Sequence, residues 1–72
     1  MIENGIYLHY KGKEYEVLGE GTHTETGERL VLYRPLYGDE EFRKKTFVRP
    51  LDLFEQEVLG KEGLVKRFRK VE

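Results

Sequence analysis

The stretch Arg29-Leu30-Val31-Leu32-Tyr33-Arg34 (RLVLYR) sets four apolar residues in a row between two arginines. A short apolar run of this kind, with Val31 and Tyr33 in it, reads as a strand. It does not alternate, so both faces of that strand should be at least half covered. Pro35 has no N–H to donate and ends or edges it.

Working back from there, Tyr15 to Gly19 alternates in part, and Gly19 and Gly21 suggest a bulge or bend of the kind a small barrel needs at a corner. Lys11-Gly12-Lys13-Glu14 is a tight turn, with Gly12 free to take positive φ. Gly5 to Lys11 is a first strand. Working forward, Gly38 to Glu41 is a turn and Phe42 to Arg49 alternates like a strand. Pro50 can open a helix, and Leu51, Phe54 and Val58 recur at i, i+3 and i+7, which predicts one short helix over 50–59 closed by Gly60 and Gly63. Leu64 to Val71 reads as a last strand.

The expected architecture is a single small domain over 1–72, mainly β: an antiparallel, SH3-like, partly open barrel with one short helix near 50–59. Curling the sheet hides strand edges that would otherwise invite pairing with other chains.

Composition narrows the function classes. The chain has 72 residues and no cysteine, so disulfides and thiolate zinc sites are out. A domain this small buries only roughly 60% of its unfolded surface, and an apolar core must carry it, helped by self-association if it is a homodimer. No apolar run approaches the length of a membrane span, and the first residues lack the pattern of a signal peptide, so a soluble cytoplasmic protein is expected. Net charge is −1, which argues against broad duplex binding. Residues 61–72 hold five basic and two acidic side chains, a local +3, readable as a solvated tail or as a partner-binding patch.

The polar hexapeptide His23-Thr24-Glu25-Thr26-Gly27-Glu28 concentrates chemistry-bearing residue types. His23 and Glu25 at i and i+2 point to one side of a strand, and His9 could join them as a third metal ligand if the first two strands pair. Against this stands the sparse donor set. Nucleophilic catalysis has less support: the chain contains no serine, and its threonines lack a base and an oxyanion hole. The plainer reading is a hairpin loop, with Gly27 at positive φ, threonine hydroxyls bonding local backbone, and His23 satisfied by Glu25 or a tyrosine hydroxyl.

Five tyrosines (7, 10, 15, 33 and 37) are more than a small core can easily satisfy, so some should sit at the surface beside Arg34, Arg49 or His9. An aromatic and arginine surface suits peptide recognition or the stacking of unpaired bases. Arg49 either pairs with Glu25 or Glu57 and braces the barrel, or binds an anion.

The order of motifs carries a resemblance. GIYLHYKGKEYEVLG (5–19), HTET (23–26), VLYRPLYG (31–38) and FVRPLDLFEQEV (47–58) together resemble the domain-of-unknown-function 1653 family, over about residues 5 to 68. The motif positions fall on His9, Tyr10, Lys11, Gly12, His23, Glu25, Thr26, Tyr33, Tyr37, Gly38, Arg49, Pro50, Phe54 and Glu57. Leu8 stands where a basic residue is common, Thr24 where serine is usual and Phe47 where tryptophan is typical. The stretch from Gly38 to Phe47 is longer than usual, and its extra residues should sit at a hairpin tip. The family brings no settled activity.

The function expected is therefore a non-catalytic binding module for a protein segment or single-stranded RNA, without a cofactor. Its face would carry His9, His23, Glu25, Tyr33, Tyr37 and Arg49. The alternatives are a small metal-assisted hydrolase centred on His9, His23 and Glu25, and a structural or dimerising accessory domain.

Overall fold

The computed structural model describes residues 2–72. Along the chain run β1 (Gly5–His9), β2 (Glu14–Thr22), β3 (Arg29–Pro35), α1 (Glu40–Arg43), β4 (Phe47–Pro50), α2 (Leu51–Phe54), β5 (Glu57–Gly60), β6 (Gly63–Lys66) and β7 (Phe68–Lys70). Five of the strands form one antiparallel sheet in the order β4-β3-β2-β1-β7, and β5-β6 form a separate hairpin. The end strands β4 and β7 do not pair with each other, so the sheet curls without closing. This is the mainly β, partly open antiparallel arrangement expected from RLVLYR and its neighbours.

Parity along each strand builds the core. Val31, Tyr33 and Pro35 of β3 point to one face, and the register sets Tyr33 opposite both Val17 and Phe47. Tyr7, Val17, Val31, Tyr33, Phe54 and Phe68 are the buried cluster, with Ile2, Tyr15, Phe47 and Leu51 packed against it. Phe54 is 1% exposed and stacks flat on Phe68, with ring centroids 4.1 Å apart. Full burial of a side chain of this size contributes about 1.5–3 kcal/mol before any cavity effect. The glycine-marked bend is real: Val17 faces Tyr33 and Gly19 faces Leu32, leaving Leu18 as the extra residue of a bulge. Gly12 takes φ 96° in the β1–β2 turn.

Three expectations along the second half change. The helix expected over 50–59 is a single turn, Leu51–Phe54, and Glu57–Gly60 is already strand. Val58 pairs with Val65 across the hairpin, so the i+7 position that suggested a helix belongs to the next element. Gly60 and Gly63 flank the β5–β6 turn rather than capping a helix, and Gly63 sits at φ 113°. The strand expected from Phe42 starts only at Phe47. Asp39 accepts the Phe42 N–H at 2.9 Å and nucleates the helical turn α1, which breaks the alternation. The extra residues between Gly38 and Phe47 thus form a capped turn joining β3 to β4, and Phe42 folds back onto Tyr37 and Phe47. The last strand is cut in two at Arg67, whose backbone bonds both Gln56 and Tyr10. No helix among the described residues is long and apolar enough to cross a membrane.

Candidate functional site

The hexapeptide His23–Glu28 closes the β2–β3 hairpin. The His23 N–H donates to the Glu28 carbonyl at 2.8 Å, and the Gly27 N–H to the His23 carbonyl at 2.8 Å. His23 Nδ1 accepts from the backbone N–H groups of Glu25 (3.2 Å) and Thr26 (3.4 Å), and Thr26 Oγ1 accepts from Glu28 N–H at 3.1 Å. The imidazole acts here as an Asx side chain does, tying off turn amides. Its partner is backbone, not the Glu25 carboxylate or a tyrosine. Gly27 supplies the φ of 76° that the tip requires.

His9 lies at the other end of β2. Its N–H bonds the Lys13 carbonyl just before Glu14, while His23 follows Thr22. The nine residues of β2 separate the two histidines by roughly 26 Å at about 3.3 Å per residue. His9, His23 and Glu25 therefore do not converge. Among the described residues no three of His, Asp and Glu gather around a position that could hold a metal ion.

Four of the six residues expected on one face do come together. The register pairs His9 with Phe68 and Val31 with Arg49, which turns both polar side chains toward the concave side. The His9 ring packs on Tyr10, Tyr15 and Phe68, with centroids 4.8, 6.3 and 4.9 Å away. Arg49 Nε donates to Tyr33 Oη at 3.1 Å, and its guanidinium carbon lies 5.6 Å from the Phe68 ring centroid. Tyr37 joins through Tyr15: their hydroxyls are 2.7 Å apart, and the Lys13 ammonium stands 5.0 Å over the Tyr37 ring. Tyr33 is only 4% exposed, so it serves as the floor of this cluster rather than as its surface.

The electrostatics of the corner are one-sided. No carboxylate lies within ion-pair distance of Arg49 among the described residues, so neither Glu25 nor Glu57 braces it. Only Nε has a protein partner there, which leaves the two outer nitrogens of the fork available. Burial holds the His9 pKa below its ordinary value, and the cations of Arg49, Arg67 and Lys11 lower it further. The ring is thus neutral at pH 7. Nδ1 accepts the Lys11 N–H at 3.2 Å, which assigns the proton to Nε2 and makes that nitrogen a donor. Burial, and then the bond with Tyr37, hold the Tyr15 phenol above its ordinary value, so it stays protonated and offers no general base. Arg67 presents a buried Nε with no hydrogen-bond partner, although its outer nitrogen bonds the Gln56 side chain at 3.1 Å.

Beside this corner the β5–β6 hairpin stands off the main sheet. Tyr10, Lys11, Leu59, Gly60, Lys61, Glu62 and Val65 line a cleft of about 770 Å³ between them. A smaller hollow of about 250 Å³ shares Tyr10 and Val65 with it and reaches His9. His9 therefore connects the apolar cleft to the aromatic corner.

The family described as a protein of unknown function, DUF1653, matches residues 5–70. The chain belongs to the DUF1653 family. The crystal structure of a DUF1653 protein from Bordetella bronchiseptica is 33% identical and superposes with a TM-score of 0.86. That likeness covers 97% of this chain and 87% of that one. No curated protein matches the chain. The DUF1653 match spans all seven strands and both ends of β2, so it does not single out either the hairpin or the aromatic corner.

Sequence reasoning missed Tyr15, Phe68 and Arg67 as parts of this DUF1653 corner. Parity carried a signal for the first: Tyr15 and Val17 share a face, and Tyr15 is two residues from a residue of core type. Phe68 read as a core-facing residue of the last strand, and it is one, but nothing local in the sequence placed its ring beside His9 and Arg49.

Proposed function

We propose that this DUF1653 chain is a small SH3-like binding module without catalytic activity, and that it takes an extended protein segment bearing a carboxylate. The observation that carries this reading is Arg49. Its guanidinium is fixed by Tyr33 and Phe68, has no acidic partner among the described residues, and keeps a fork of donors open. A planar fork of this kind matches a carboxylate in two-point contact. His9 Nε2 supplies a neutral donor beside it, and Lys11 and Arg67 add positive potential. Apolar side chains of the segment would rest in the cleft between Tyr10, Leu59 and Val65, whose volume of about 770 Å³ has room for several of them.

A peptide fits better than single-stranded RNA. Tracking a nucleic-acid backbone needs a run of cations along a groove, and the rings of Tyr15, Tyr33 and Phe68 are packed edge-on against one another rather than offered flat to bases. His23 and Glu25, at the far end of β2, stay outside the binding face in this reading. A cysteine-free chain suits a cytoplasmic module of this type.

The test is a titration of three probes: a pool of capped hexapeptides with one Glu among apolar residues, the same pool with Gln in its place, and octauridylate. The Glu pool should bind, the Gln pool should bind at least tenfold more weakly, and Arg49→Met should abolish the difference. Equal binding of the Glu and Gln pools, or preference for octauridylate, overturns the reading.

A further inference from the structure

The antiparallel sheet has a second apolar face. An open sheet of this kind ordinarily keeps one side polar toward water. Here the inward residues of β3, Val31 and Tyr33, are buried, yet the outward ones are Leu30 and Leu32. On the neighbouring strands Val48 is 55% exposed and the bulge residue Leu18 is 42% exposed. Gly21 adds no side chain above Leu32, where a Cβ would come within 3.7 Å of a Leu32 methyl, and this leaves the patch flat. The double-sided apolar pattern of RLVLYR is covered on one side only.

One ion pair borders the patch on the same convex face. Arg34 contacts Glu16 at 2.7 Å, with the side chains 42% and 34% exposed. Both Arg34 nitrogens involved fall on Glu16 Oε1. Oε2 has no protein partner among the described residues and can accept from a second arginine.

We infer that the convex face formed by Leu18, Leu30, Leu32 and Val48 packs against the same face of a second copy of this chain. A two-fold axis lying between the two faces and running past the Glu16–Arg34 pair makes the face self-complementary: Glu16 Oε2 meets Arg34 of the partner subunit, and the reciprocal contact forms beside it. The two sheets would stack about 10 Å apart, as in a sandwich. Leu18, Leu30, Leu32 and Val48 lie on three adjacent strands, β2, β3 and β4, which at about 4.8 Å spacing give a strip roughly 14 Å wide, the size of the apolar centre of an interface with Glu16 and Arg34 in its polar rim. The concave corner with His9 and Arg49 faces away and stays open in such a pair.

Sedimentation equilibrium of the full chain from micromolar to millimolar concentration tests this, beside Val48→Lys and Leu18→Lys. Both positions are exposed in the single chain, so the fold, followed by circular dichroism, should be unchanged. The wild type should reach the mass of two chains, and each lysine variant should raise the dissociation constant at least tenfold. Glu16→Arg and Arg34→Glu should each weaken the dimer, and the double exchange should restore it. A wild type that stays monomeric throughout overturns the inference, and so does a dimer indifferent to Val48→Lys and Leu18→Lys.

Discussion

At the scale of single residues, Arg49 and His9 form a coupled pair. Arg49→Met keeps the aliphatic packing but removes the bond to Tyr33 and the cation over Phe68. The loss should be about 1 kcal/mol of stability, measurable by urea unfolding. It should also raise the His9 pKa, because one of the cations lowering it is gone, and a proton NMR titration reads that directly. The sign for stability follows. The folded His9 pKa lies below its unfolded value, so the unfolded chain binds the proton first as pH falls. Stability from this group is complete above about pH 6.5 and is lost as pH falls through the folded pKa. Urea midpoints should therefore decline on the acid side of neutrality, and His9→Gln should flatten that slope. At the other end of β2, Gly27→Ala meets no atom within 4 Å but must hold φ 76°, which should cost about 1 kcal/mol with no effect on peptide binding.

Among the elements, α2 is one turn of helix that exists because Phe54 has a place to go. Four residues make no stable helix alone, and the ring is held between Tyr7, Tyr33 and Phe68. Phe54→Ala should cost about 3–5 kcal/mol, enough to abolish the cooperative thermal transition of so small a domain. The β5–β6 hairpin behaves oppositely. Leu59 is 78% exposed, so Leu59→Ser should shift stability by less than about 0.5 kcal/mol while weakening the carboxylate peptides several-fold. This contrast also marks what could be read from the sequence. The β1–β3 meander was legible because β-branched and aromatic runs alternate with glycines at positive φ, and each such signal is local. The stretch from Phe42 onward was not. Three apolar residues at i, i+3 and i+7 describe a helix equally well as a helical turn followed by a strand, and only the pairing of Val58 with Val65 decides between them. Likewise the alternation of Phe42 to Arg49 lost to an Asp39 cap worth about 1 kcal/mol. Of the candidate site, residue types were legible but distance was not. His9 and His23 look equivalent in sequence, and the length of β2 sets them at opposite ends.

The whole molecule is a curled sheet with a cationic, aromatic hollow at one end and a self-sufficient turn at the other. Its net charge of −1 leaves little long-range attraction for polyanions, so the positive potential at His9, Lys11, Arg49 and Arg67 acts over about a Debye length. Affinity for acidic peptides should fall only a few-fold between low and physiological salt, without the steep slope of a phosphate-tracking protein. The most direct measurement is a nitrogen–proton NMR titration of the labelled chain with the Glu-bearing hexapeptide pool. Shifts are expected at His9, Tyr10, Arg49 and Arg67, with silence at His23 through Glu28 and loss of the response in Arg49→Met. Shifts confined to the His23–Glu28 hairpin, or a response that survives Arg49→Met unchanged, would contradict a binding face at Arg49.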